Sequence, residues 1–163
     1  MKKLRLKNIN KVSLTNGTKH DLGKLTFELN QFKVPHQFVM LKDGMEVKAD
    51  KQKNTLGELI ETGTHTITFK AYDRSLVEIA IQNELTEFGN PIDIVLEKAE
   101  TIPSLETYIA DEFIPIKFEG LTVKPHKVQR KVYANGQSVD SWQFAELRVS
   151  ITGYKFEELS HEK

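Results

Sequence analysis

The stretch Lys127-Val128-Gln129-Arg130-Lys131-Val132-Tyr133, running into Ala134-Asn135-Gly136, decides the fold class. Its alternation puts Lys127, Gln129, Lys131 and Tyr133 on one face of a strand, with Val128 and Val132 on the other. Arg130 falls on the valine side, so its head group must reach out to solvent or find a partner. Asn-Gly supplies the two positive φ angles of a tight hairpin turn, the strongest such signal in the chain. The return strand ends in Trp142-Gln143-Phe144-Ala145-Glu146-Leu147-Arg148-Val149-Ser150-Ile151. Its large side chains change phase near Ala145-Glu146, which predicts a bulge or bend.

The same period recurs upstream. Lys24-Leu25-Thr26-Phe27-Glu28-Leu29 alternates, with Leu25, Phe27 and Leu29 on one face. The run His36-Gln37-Phe38-Val39-Met40-Leu41 stops at Asp43-Gly44, where a second hairpin turn is expected before Glu46-Val47-Lys48-Ala49. Thr64-His65-Thr66-Ile67-Thr68-Phe69-Lys70-Ala71-Tyr72 places Ile67, Phe69 and Ala71 together. Leu76-Val77-Glu78-Ile79-Ala80-Ile81 and Ile92-Asp93-Ile94-Val95-Leu96-Glu97 read as further strands. Ile114-Pro115-Ile116-Lys117-Phe118 and Leu121-Thr122-Val123 flank Gly120. Helical signals are few. Thr55-Leu56-Gly57-Glu58 matches a capping box ahead of Leu59, Ile60 and a Gly63 stop. Ser104 caps a second short helix reaching Glu112 through Leu105, Tyr108 and Ile109.

Eight to ten short strands must close or pack on themselves. The expected fold is mainly β: a closed or partly open barrel of the oligonucleotide-binding (OB) type, with an extra hairpin and one or two short helices. A β-sandwich is the alternative. At 163 residues the chain is expected to be one domain over residues 1–163, with residues 1–20 as a flexible or edge-strand arm.

Composition removes whole classes of chemistry. With no cysteine there are no disulfides, thiolate metal sites or cysteine nucleophiles. No apolar run approaches bilayer length, and the basic start lacks the apolar core of a signal peptide, so a cytoplasmic location without membrane contact is expected. No Gly-x-Gly fingerprint, nucleophile elbow or His pair at ligand spacing occurs, so neither enzyme activity, cofactor nor metal is expected.

Charge is unevenly distributed although 23 basic and 23 acidic residues cancel. Residues 1–55 hold twelve basic and five acidic groups, residues 56–119 four and thirteen, and residues 120–163 seven and five. Either the blocks present separate faces, or they adjoin and neutralise one another. Single strands are held by cations along the backbone and rings beneath the bases. Two stretches combine both. Lys24, Lys33 and Lys42 interleave with Phe27, Phe32 and Phe38. Lys124, Lys127, Arg130 and Lys131 lie near Tyr133 and Trp142. Phe27, Phe38 and Trp142 have the size of core residues. Phe32, Tyr72 and Tyr133 are therefore the stacking candidates, and Lys24, Lys33, Lys42, Lys127, Arg130 and Lys131 the phosphate contacts.

About half of the chain resembles small β-rich accessory and single-stranded-DNA-binding proteins of Gram-positive conjugative plasmids and transposons. The similarity runs over Gly23-Lys24-Leu25-Thr26-Phe27, Phe69-Lys70-Ala71-Tyr72-Asp73, Leu76-Val77-Glu78-Ile79, Glu87-Phe88 and Ile92-Asp93-Ile94-Val95-Leu96. It does not extend to residues 114–156. The resemblance implies a barrel that handles a transferred strand. The function expected is thus non-catalytic binding of single-stranded DNA or RNA. The alternative is a protein-interaction module of a phage or mobile element, a virion component or an inhibitor of a host nuclease, working through acidic segment 84–112. Edge strands would offer a route to self-association.

Overall fold

The computed structural model describes residues 11–13 and 19–157, with side chains from residue 21 onward. Among the described residues nine strands, β1 (Lys11–Ser13), β2 (Lys19–Asp21), β3 (Phe38–Lys53), β4 (Leu59–Asp73), β5 (Ile92–Ala99), β6 (Phe113–Glu119), β7 (Thr122–Ala134), β8 (Gln137–Ile151) and β9 (Gly153–Phe156), accompany one α-helix, α1 (Arg74–Gln82). The fold is mainly β. β1 and β2 form a two-stranded sheet, and the other strands a seven-stranded one in the order β7-β8-β5-β4-β3-β6-β9. β3 pairs antiparallel with β4 and β6, as do β4 with β5 and β6 with β9, whereas β5 and β8 run parallel through residues 94–96 and 149–151. β7 and β9 are the edges, so of the expected closed or partly open barrel the closed form is not present. A barrel needs its first and last strands to pair, and these do not.

The chain divides into two compact units: residues 1–28 with 123–148, and residues 29–122 with 149–163. The second unit holds the larger core. Alternation along β4 buries Ile67, Phe69 and Ala71 completely, as the sequence predicts. β3 sets Val47 opposite Ile67 and Met40 opposite Ala71, and β5 sets Ile94 opposite Phe69. Phe69 lies 5.6 Å from the Phe118 ring and 5.0 Å from Tyr154, and Phe38 meets Phe118 edge-on at 5.2 Å. Each such ring pair contributes about 0.5–1.5 kcal/mol beyond area burial.

Five local expectations are corrected. Asp43-Gly44 makes no turn, because β3 runs through it with a register shift between Met40 and Met45. Gly44 serves close approach instead. A Cβ there would lie 3.0 Å from the Leu41 carbonyl oxygen and 3.2 Å from that of Lys70. The helix expected over residues 55–63 is a chain reversal followed by β4. Asn54 Oδ1 accepts from the amides of Leu56 and Glu58, both at 2.9 Å, while its Nδ2 donates to Glu58 at 3.0 Å. Leu56 and Leu59 are 81% and 65% exposed, so no buried face stabilises a helix here.

Residues 76–81 are helical rather than extended. Asp73 caps α1 by accepting from the Ser75 amide and hydroxyl at 3.0 and 2.6 Å, and Val77 and Ala80 form its buried stripe. The expected helix from Ser104 to Glu112 is two separate turns, closed by Tyr108 N–H to Leu105 and Glu112 N–H to Ile109. The strand expected at residues 24–29 is interrupted by 3-10 turns at Leu22–Lys24 and Leu29–Gln31. Asp21 caps the first at 2.9 Å, and Phe27 forms an isolated antiparallel bridge with Val123. Of the expected N-terminal arm, residues 1–10 and 14–18 lie outside the described residues, whereas Lys11–Ser13 pairs antiparallel with Lys19–Asp21.

Where β3 and β4 shift register between Ala49 and Lys51, Asp50 ties the strands together. Its carboxylate accepts from the hydroxyls of Thr64 at 2.7 Å and Thr66 at 2.6 Å. These hydrogen bonds hold its pKa below the ordinary aspartate value. A carboxylate favoured in the folded state contributes stability above its unfolded pKa, and that contribution is lost as pH falls through the lower folded value. Denaturant midpoints at neutral pH and near pH ~3 are therefore expected to fall further for the native chain than for Asp50→Ala. Phe69→Ala is expected to cost about 3–5 kcal/mol in the same assay, since the side chain is wholly buried.

Candidate nucleic-acid interface

The β7–β8 hairpin turns at Asn135 and Gly136, with φ angles of 52° and 76°. Positive φ at both central positions is the type I′ signature that matches the twist of the flanking strands. A two-residue turn also sets the register. It brings Gln129 opposite Trp142 and Lys127 opposite Phe144. The ring contact agrees, for Lys127 Nζ lies 5.0 Å from the Phe144 centroid. One face of this ribbon therefore carries Lys127, Lys131 and Tyr133 together with Trp142 and Phe144.

Exposure sharpens the picture. Tyr133 is 79% and Trp142 54% exposed, and Arg130 and Lys131 are exposed beside them. Phe144 is half-buried, close to the backbone of Gly23. The expectation that Trp142 is a core residue is thus overturned, while Phe38 is buried and Phe27 half-buried. Near the base of the ribbon, Arg148 Nη2 lies 2.7 Å from His126 Nε2. Arginine can only donate, so this contact requires Nε2 to accept and puts the ring proton on Nδ1.

The predicted site residues do not form a single set. Lys24, Lys127, Arg130, Lys131 and Tyr133 belong to the first unit, and Phe32, Lys33, Lys42 and Tyr72 to the second. Lys42 Nζ is 3.5 Å from the Glu106 carbonyl, and Tyr72 packs edge-on against Phe113 at 5.7 Å. Tyr72 is only half-exposed, and Lys33 follows the second 3-10 turn on the surface. Trp142 and Phe144 complete the ribbon face. The Asn135-Gly136 turn carried the signal for them, because its length fixes which residues oppose Lys127 and Gln129.

Charge follows the division into units. Among the described residues the first unit holds eight basic and four acidic groups, and the second ten and seventeen. Glu84, Glu87, Asp93, Glu97, Glu100, Glu106, Asp111 and Glu112 are all exposed. Among the described residues no cluster of three or more His, Asp or Glu is placed to hold a metal, and no helix is long and apolar enough to cross a membrane. Compared with known proteins, the chain matches no protein-family model, no curated protein and no solved structure.

The turn gives a direct check of the ribbon register. Gly136 has φ of 76° with open space around it, so Gly136→Val introduces backbone strain without a steric clash. The expected loss is about 1–2 kcal/mol, read as a lower denaturant midpoint. Gly136→Asn, which tolerates this conformation, is expected to restore most of that loss.

Proposed function

We propose that the chain binds single-stranded nucleic acid, non-catalytically, through the β7–β8 ribbon of its first unit. The observation that carries this reading is one ribbon face on which Tyr133 and Trp142 stand exposed beside Lys127 and Lys131, with Asp140 opposite Lys131 and Arg130 exposed on the other face of the same strand. Cations along a flexible backbone supply affinity without sequence preference, and exposed rings give the bases a surface to stack on. Each stacked base contributes about 1–3 kcal/mol. In this reading the working surface is an open ribbon rather than the groove of an OB barrel. Lys24 extends the cationic surface within the same unit. Phe32, Lys33, Lys42 and Tyr72 have no assigned part in it. A role in handling a transferred strand inside the cell, which the resemblance outside residues 114–156 implies, belongs to the same proposal.

The acidic second unit favours a second reading, a docking surface for a basic protein along segment 84–112. Strand addition at β7 or β9 is the corresponding route to self-association.

Trp142 is the sole tryptophan, so its emission reports on the proposed surface directly. Titration with an oligonucleotide of ~30 residues is expected to quench it, with an affinity that falls by a slope of about −0.7 per neutralised phosphate as salt rises. Arg130→Glu with Lys131→Glu is expected to weaken binding at least tenfold, on the order of 1.4 kcal/mol. Trp142→Ala, followed by fluorescence polarisation of a labelled oligonucleotide, is expected to cost about 1–3 kcal/mol. Absence of binding at micromolar protein in low salt overturns the proposal. Binding of a basic peptide by that same inactive protein, abolished by charge reversal in segment 84–112, supports the second reading.

A further inference from the structure

The second unit is strongly acidic, yet one of its cavities is cationic. A space of about 400 Å³ opens between the start of α1, the β6 strand and β9. Arg74, Lys117 and Lys155 line it together with His36, against the two carboxylates Glu119 and Glu157. Its apolar wall includes Phe118 and Leu121, both half-buried, and Phe118 is held edge-on by Phe38 at 5.2 Å. The volume falls within the range of small-molecule sites, which pair an apolar wall with a few convergent polar groups.

Glu157 is the telling residue. Its backbone amide is anchored to the Pro115 carbonyl at 3.0 Å, and its carboxylate is held by Lys117 at 2.8 Å and Arg74 Nη1 at 3.6 Å. The Lys117 hydrogen bond, followed by the charges of Lys117, Arg74 and Lys155, depresses its pKa. Arg74 is itself oriented by a 2.8 Å bond from Nε to Glu78. The side chain of Lys117 is 73% exposed, so a competing anion can reach it and displace Glu157. Glu157 thus occupies, from within the chain, the place that an external anionic group would take.

The geometry points to a binding site for a small ring-bearing anion, its phosphate held by Arg74, Lys117 and Lys155 and its ring laid against Phe118 and Leu121. A nucleoside monophosphate has both parts at a size the cavity accepts. The site is independent of the β7–β8 ribbon, since every residue named here belongs to the second unit.

Adenosine monophosphate, inorganic phosphate and adenosine are the probes, titrated into the full chain and followed by calorimetry. Adenosine monophosphate is expected to bind saturably, at least about tenfold tighter than either part alone, because anion and ring contacts add. Two substitutions must act in opposite directions. Lys117→Ala with Lys155→Ala is expected to weaken binding about tenfold or more, whereas Glu157→Gln tightens it severalfold by removing the internal competitor. The ribbon variant Arg130→Glu with Lys131→Glu is expected to leave the affinity unchanged, which separates this site from the proposed strand-binding surface. Unaltered thermal melting shows that each variant is folded, and amide shifts of the native chain on titration report the site even where a variant does not fold. Failure of the native chain to saturate at millimolar nucleotide overturns the inference. So does a Glu157→Gln variant that loses affinity like the lysine variant, or nucleotide binding abolished by the ribbon substitutions.

Discussion

The pairing of β3 with β4 is the constraint on which the larger unit rests. Ile67, Phe69 and Ala71 have no solvent exposure, so a slip of one residue would turn all three outward and bring Thr66, Thr68 and Lys70 in. Every neighbouring element takes its place from that register. β5 brings Ile94 opposite Phe69, and β6 brings Ile114 opposite Met40 on the far side of β3. The two irregularities in this pairing carry their own local solutions, a closely approached glycine at Gly44 and the threonine-bound carboxylate of Asp50. A long hairpin with two shifts keeps one register because its buried face permits no other.

A neutral total charge conceals a chain organised by sign. The basic surplus lies in the unit that presents Tyr133 and Trp142, and the acidic surplus in the unit with the larger core. Local fields of this kind govern encounter with charged partners even where the whole molecule carries no net charge. The cationic cavity around Glu157 runs against the sign of its own unit. Clustering cations in an acidic surface costs no net charge, because Glu157 balances part of them until a ligand does.

Strands were legible wherever alternation met a deep core. Residues 67–71 and 114–118 read correctly because burial on one face imposes a period of two, and 92–97 as a short apolar run that buries both Ile94 and Val95. Local chemistry read alone was less reliable. Asp-Gly at residues 43–44 and Asn-Gly at 135–136 look alike in sequence, but only the second has positive φ at both positions. The first lies mid-strand, with Gly44 buried, where strand pairing decides the outcome. Leu76 to Ile81 looks extended because Leu76, Ile79 and Ile81 are apolar, yet all three are exposed and the Asp73 cap determines the helix. The candidate interface was half visible. The cations and Tyr133 followed from composition, whereas Trp142 was hidden by the habit of placing large rings inside.

The course of the chain has a temporal consequence. The first unit is assembled from residues 1–28 and 123–148, with the bulk of the second unit, residues 29–122, between them. During synthesis at roughly 5–20 residues per second, the opening segment waits about 5–20 s for its partners to emerge from the ribosome. Core strands β3 to β6 are complete before then. Most of the larger body's strands are thus made while the smaller one still lacks half of its residues, yet its own closing residues, 149–151 against β5 and β9 against β6, emerge only after the smaller unit is complete.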